Sequence, residues 1–248
     1  TFHNLVITGG SVLFGNNTTT RTINISNNLT ITGGFFLSGA TAGGGHTINL
    51  TGNLENDGTI NFSDNGATAQ LFILLGGTKS IGGAGTSTFN NLRMSTTASA
   101  NVNLTSSVRV NGTLNWTADG LLILNGIDFT FGNTALVAAP SALRYIQSDG
   151  TSSLTGQVVK VNNGTTATWQ FLFPIGTAVN GYSPVDLTTA TITNAPPPQI
   201  DSRLAAKAIL SADAPGRLKR TFRLAVSGNG IATTFTNGRF NYFTPGDV

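Results

Sequence analysis

The chain of 248 residues contains 31 Gly, 8 Pro, one Met and no Cys; 9% of it is charged, and the formal net charge is +3. Globular domains average about 25% charged residues and about 7% Gly. Helices draw on Ala, Leu, Glu, Lys, Gln and Arg, so a chain whose ten acidic residues include a single glutamate, Glu55, is not mainly helical. A hydrophobic content of 39% with 15 Phe excludes disorder, and no apolar run approaches the ~20 residues that span a bilayer.

From Thr1 to Pro140, apolar side chains fall two apart: Leu5 and Ile7, Ile23 and Ile25, Leu29 and Ile31, Ile48 and Leu50, Ile60 and Phe62, Val108 and Val110, Leu114 and Trp116. Asn and Thr lie between them, and period two predicts short, half-buried strands. Gly9-Gly10, Gly33-Gly34, Gly43-Gly44-Gly45, Gly82-Gly83, Asn111-Gly112 and Asn125-Gly126 supply turns with positive φ. The strands also repeat. Ile48–Phe62 aligns without gaps on Val102–Trp116, and both segments end in Gly-Thr-x-Asn. Thr1–Leu5 resembles Thr88–Leu92, and Ile23-Asn-Ile25 with Asn28-Leu29 returns as Ile48-Asn-Leu50 with Asn53-Leu54. The step from Ile48 to Val102 is near twice the step from Ile23 to Ile48.

Such a repeat predicts a parallel β-solenoid over residues 1–140, in which stacked coils bury a continuous apolar column. About six coils fit, a rod ~30 Å long at about 4.8 Å per strand. Outward Asn and Thr suit it, because stacked amides hydrogen-bond in ladders. A β-sandwich has similar strand spacing but gives no reason for the echo of Ile48–Phe62 in Val102–Trp116.

After Pro140 the candidate strands lengthen: Leu143–Gln147, Gln157–Val161, Thr168–Phe173, Val185–Ile192, Leu218–Val226 and Arg239–Phe243. Asn163-Gly164, Asn180-Gly181, Asn229-Gly230 and Asn237-Gly238 read as hairpin turns, and Ala195-Pro196-Pro197-Pro198 as a stiff connector. Leu204–Leu210 suits a short helix or a strand. Residues 141–248 are expected to form a separate antiparallel, Ig-like β-sandwich. The charge is divided as well. Residues 1–140 hold four basic and five acidic residues, 4 − 5 = −1, and the rest hold nine and five, 9 − 5 = +4.

The opening Phe2-x-Asn4-Leu5-x-Ile7 and the unit Asn28-Leu29-Thr30-Ile31-Thr32-Gly33-Gly34 resemble solenoid segments of large type IX-secreted, adhesin-like surface proteins of Bacteroidetes-type bacteria. Tyr145–Gly150, Phe173-Pro174-Ile175-Gly176, Tyr182-Ser183-Pro184-Val185, Arg220–Leu224 and the end from Phe240 to Asp247 resemble the sandwich that follows those solenoids. The resemblance covers essentially the whole chain and transfers no catalytic residue. It implies an extracellular, surface-attached segment, and both ends read as cuts within a longer polypeptide. The absence of cysteine also suits a bacterial exported protein or a large fold that needs no disulfide staples.

Catalysis is expected to be absent. Glu55 and Asp57 would share a strand face, but Asn56-Asp57-Gly58 is a turn signal, as is Asp64-Asn65-Gly66, and no Arg or Lys stands near either to complete a sugar-acid site. His3 is expected in solvent and His46 in a loop, neither with a metal-spaced partner, and no spaced Asp array supports calcium. Thr18, Thr20, Thr22, Thr30 and Thr32 drift in position from coil to coil, unlike an ice-binding rank. Arg217, Lys219, Arg220 and Arg223 form the one basic cluster. Taking Leu218, Phe222, Leu224 and Val226 as inward places Arg217, Lys219 and Arg223 on an outer face. That face is either simply solvated or a docking surface for an acidic polysaccharide or a neighbouring domain. Aromatic residues are not interleaved with these charges, which disfavours nucleic acid.

The expectation is therefore a non-enzymatic, adhesive or structural segment, secreted to the bacterial cell surface, without cofactor, metal or membrane insertion. Its partners would be neighbouring domains or other protomers, with surface polysaccharide as a further candidate. A self-assembling fibre subunit and a carbohydrate-binding module are the alternatives.

Overall fold

The computed structural model describes residues 1–14, 20–38, 45–62, 71–151, 153–162, 169–193, 202–210, 220–227 and 232–240. No helix occurs among them. Three short strands make each turn. The first turn holds β1 (Leu5–Ile7), β2 (Ser11–Phe14) and β3 (Thr22–Ile25). The second holds β4 (Leu29–Ile31), β5 (Phe35–Ser38) and β6 (Thr47–Leu50). Then come β7 (Leu54–Asn56), β8 (Thr59–Phe62) and β9 (Leu71–Gly76), followed by β10 (Lys79–Gly82), β11 (Thr86–Phe89) and β12 (Asn91–Thr96). β13 (Val102–Leu104), β14 (Val108–Val110) and β15 (Thr113–Trp116) make the next turn. The last is β16 (Leu122–Ile123), β17 (Phe129–Phe131) and β18 (Leu136–Ala138), and β19 (Ile146–Ser148) begins another rung.

Corresponding strands of successive turns pair in parallel, giving three faces: β1-β4-β7-β10-β13-β16-β19, β2-β5-β8-β11-β14-β17 and β3-β6-β9-β12-β15-β18. The third face has six rungs, hence five full turns between its first and last strands. This is the expected parallel β-solenoid, running from Leu5 into β19.

Alternation explains the core. Inward Leu29, Ile31, Leu50, Leu54, Ile60, Val110 and Leu114 are fully buried, and the residues between them are not. Phe62 lies 4.9 Å from Phe36, and Phe72 lies 4.8 Å from Phe89, ring centre to ring centre, within the range of favourable aromatic pairs. Asn56 points inward as well. Its amide donates to the Thr86 carbonyl and Ser87 Oγ at 2.9 and 3.0 Å, and its Oδ1 accepts the Gly58 N–H, so the buried polar group is satisfied.

Asn side chains stitch one corner. Asn4 Oδ1 accepts the Asn28 N–H at 3.1 Å, Asn28 Oδ1 accepts the Asn53 N–H at 2.9 Å, and Asn53 Oδ1 accepts the Ser80 N–H at 2.9 Å. Each turn thus caps the backbone of the next. On the third face Asn49 Nδ2 donates to Asn24 Oδ1 at 2.7 Å, an amide ladder of the expected kind.

The shorter echo is one turn, since Ile23 pairs with Ile48 and Ile25 with Leu50. The longer echo is not two turns. It carries β6, β7 and β8 onto β13, β14 and β15, an advance of seven strands that moves each segment to a different face. The repeating unit is the strand with its corner, because all three faces ask for the same alternation.

Beyond Pro140 the chain builds onto the solenoid. β20 (Val158–Asn162) pairs in parallel with β17, and β22 (Ile175–Thr177) with β19. The direction then reverses: β23 (Gly181–Tyr182) runs antiparallel to β22, β25 (Ser202–Leu210) to β20, and β26 (Arg220–Ser227) to β25. A further antiparallel sheet joins β21 (Trp169–Phe173), β24 (Val185–Thr193) and β27 (Ala232–Phe240). The expected boundary at residue 140 falls between β18 and β19, and Phe171 lies 5.1 Å from Phe131 of the solenoid core.

Some local expectations change. Leu204–Leu210 is strand, since it is paired on both sides by β20 and β26. Asn237-Gly238 is no turn but part of β27, beside a register shift opposite Thr188 and Thr189. Asn180-Gly181 does turn the chain, with Gly181 at φ +65°. Asn163-Gly164, Asn229-Gly230 and the Pro196–Pro198 connector lie outside the described residues.

Candidate functional site

The ionisable side chains are dispersed over the solenoid. Glu55 and Asp57 are exposed, and Asp57 Oδ1 accepts the Ala84 N–H at 2.9 Å, the corner role expected of it. Asp119 bridges Arg144 at 2.8 Å, and Asp128 Oδ1 accepts the Gln157 N–H at 3.0 Å. Asp64 lies outside the described residues. His3 is exposed, as expected. His46 precedes β6 in a loop but is only 2% exposed, because its Nδ1 accepts the Arg21 N–H at 3.1 Å and ties two turns together. Among the described residues no three His, Asp or Glu converge as metal ligands would.

Among the described residues three lysines are buried, and none of them belongs to a motif in the sequence. Lys160 Nζ donates to the carbonyls of Gly132, Asn133 and Ala135 at 2.7, 2.9 and 2.7 Å, and stands 4.7 Å from the centre of the Phe171 ring. Burial pushes its pKa down to about 8. Lys79 Nζ donates to the Thr51 carbonyl at 2.6 Å and to that of Leu75, and burial lowers its pKa too. Lys207, 0% exposed, pairs with Asp149 at 2.7 Å and donates to the Thr155 carbonyl at 2.7 Å and Thr151 Oγ1 at 3.2 Å. Burial would raise the Asp149 carboxyl, but the Lys207 ammonium and the Thr151 donors outweigh it and hold its pKa below the usual value. Each ammonium donates to backbone carbonyls at a corner, which offsets part of the cost of burying it. Their signal was a lone Lys inside an apolar strand, as in Val158-Val159-Lys160-Val161 and Ala205-Ala206-Lys207-Ala208.

The basic cluster is only partly in view. Arg217 and Lys219 lie outside the described residues. Arg223 is half-buried on β26 directly opposite the buried Lys207, so the two side chains share one face of the sheet, the face opposite to that of Phe222.

The two ends of the solenoid differ. Beyond β19 the first two faces are continued by β22–β23 and β20–β25–β26, which cover that end with antiparallel strands. At the other end no described strand pairs with the outer edge of β1 or β2, while Phe2 bridges Ile25 along the outer edge of β3. The Leu5 N–H and the Ile7 carbonyl bond to the second turn, so the N–H and C=O of Val6 between them point to the free edge. Phe2, Val6 and Leu13 are 45%, 56% and 53% exposed there. No family model, curated protein or solved structure matches the chain.

Proposed function

We propose that the chain is a non-catalytic, adhesin-like scaffold segment of a bacterial extracellular surface protein. The observation that carries this reading is the polar solenoid itself, a stack whose described carboxylates are spread around it rather than gathered at one place. Asp119 and Asp149 are engaged in ion pairs, and Asp57 and Asp128 cap backbone amides. A glycosidase needs two convergent carboxylates. The family resemblance of the solenoid and the later strands supports an exposed, surface-attached setting. Turnover of a soluble polysaccharide that Glu55→Gln abolishes would overturn the non-catalytic reading. Protease treatment of intact cells tests the location: the segment should be shaved from the surface, and full protection would refute it.

A second reading is a subunit that self-assembles through the edges of β1 and β2, with which no other described strand pairs on the outer side. Unpaired edge strands recruit further strands. Electron microscopy of concentrated protein, with Val6→Lys as comparison, separates the two. Filaments that the variant abolishes would support assembly, and monomers at every concentration would exclude it.

A further inference from the structure

We propose that the third face of the solenoid carries a binding cleft for an acidic glycan, anchored by Arg93 on a ligand carboxylate. The six strands of this face read TINI, TINL, LFILLG, NLRMST, TLNW and LVA, and Arg93 is their single ionisable residue. It lies in a cleft of about 260 Å³ lined by Thr47, Leu71, Asn91, Arg93, Thr113 and Asn115. The register explains the lining. Thr47, Leu71, Asn91 and Thr113 stack in one row, and Ile73, Arg93 and Asn115 in the next.

Arg93 differs from the other solenoid arginines of described environment in what surrounds it. Arg144 pairs with Asp119 at 2.8 Å, and Arg109 Nε donates to Asn111 Oδ1 at 2.7 Å. Arg93 Nε is buried and finds no acceptor among the described residues. Nε is closed to solvent, so it is the two Nη groups of the planar guanidinium that would match a ligand carboxylate, through two parallel hydrogen bonds. No acid stands on these strands, so Arg93 carries their one charge, and that charge suits an anion. The neighbours decide the class of anion. Thr47, Thr113, Asn91 and Asn115 offer hydroxyls and amides at rung spacing, and Leu71 adds an apolar floor, which suits the hydroxyl edges and C–H faces of a sugar chain. The site does not depend on whether the solenoid serves as a stalk.

The test is calorimetric titration of the full chain with tetragalacturonate at low ionic strength, beside its methyl ester and an acidic peptide, a tetraglutamate. Binding of the acid should exceed that of the ester by about tenfold or more, and Arg93→Gln should weaken it by about tenfold. Arg93→Lys should fall between, because it keeps the charge and loses the fork. Arg109→Gln on the second face should bind as the parent chain does. Thermal midpoints of the variants report folding, and the acid-to-ester comparison on the unaltered chain holds even if Arg93→Gln fails to fold. Equal binding of acid and ester, no binding of tetragalacturonate up to about 5 mM, or affinity unchanged in a folded Arg93→Gln variant would overturn the proposal. Preference for the tetraglutamate would overturn the glycan assignment.

Discussion

Lys160 tests how this fold holds a charge in its interior. It is 5% exposed, its three N–H groups meet three carbonyls, and burial lowers its pKa from 10.5 to about 8. Between these two values the unfolded chain binds a proton that the folded chain has released, so stability rises with pH. From about pH 7 to about pH 10 the linkage relation gives about 2–3 kcal/mol of added stability from this one group. The perturbation is Lys160→Met, which keeps the apolar stem and removes the titration. Urea unfolding of both proteins across that range, taken as a difference, isolates Lys160 from other groups. Lys79 is lowered in the same way, whereas Tyr182, raised by burial to about 12, contributes the opposite slope at the alkaline end. The parent-minus-variant difference should grow by about 2–3 kcal/mol toward alkaline pH. A difference that does not change with pH would refute the reasoning, since the carbonyl nest would then offset the whole desolvation cost of the ammonium.

Three further outcomes are expected from urea or acid titrations followed by tryptophan fluorescence. Gly83 has φ +101°, and a Cβ there would lie 2.1 Å from the Asn56 carbonyl oxygen; Gly83→Ala should cost at least about 2 kcal/mol, whereas Gly77→Ala, with open space around it, should stay within about 0.5 kcal/mol. Trp116 is 1% exposed and its Nε1 has no acceptor among the described residues, so Trp116→Phe should cost under about 1.5 kcal/mol despite the smaller ring, because it removes an unsatisfied donor. Asp149→Asn leaves the buried Lys207 without its carboxylate and should cost about 3–5 kcal/mol at neutral pH. Because the Asp149 pKa is depressed in the fold, its contribution is complete above the unfolded carboxylate value and disappears as pH falls through the folded one. The parent chain should therefore lose stability on acidification more steeply than the variant.

The strands of the solenoid were legible because alternation is a local property. Leu29 and Ile31, or Val108 and Val110, point to one side of any extended backbone, and that side had to be covered. The site residues were less legible for the opposite reason. Nothing in Asn91-Leu92-Arg93-Met94 tells that no acid stands on the rungs above and below, which belong to distant parts of the sequence. Lys79, Lys160 and Lys207 did not stand out because the carbonyls that hold them belong largely to other segments: Lys160 reaches Gly132, and Lys207 reaches Thr155.

Composition and pattern alone determined that the chain is all-β, that its strands are short, and that Asn and Gly mark its corners, because each of these follows from the conformations of a few adjacent residues. Register was decided only in three dimensions. The echo of Ile23 in Ile48 and the echo of Ile48 in Val102 are equally good alignments, and only the stacking of Ile23 on Ile48 shows which of them is a neighbour in space. The tertiary structure also decided that the strands beyond Pro140 continue the solenoid's own sheets, since an unpaired row of backbone donors and acceptors at the end of a stack takes whichever strand lies within reach.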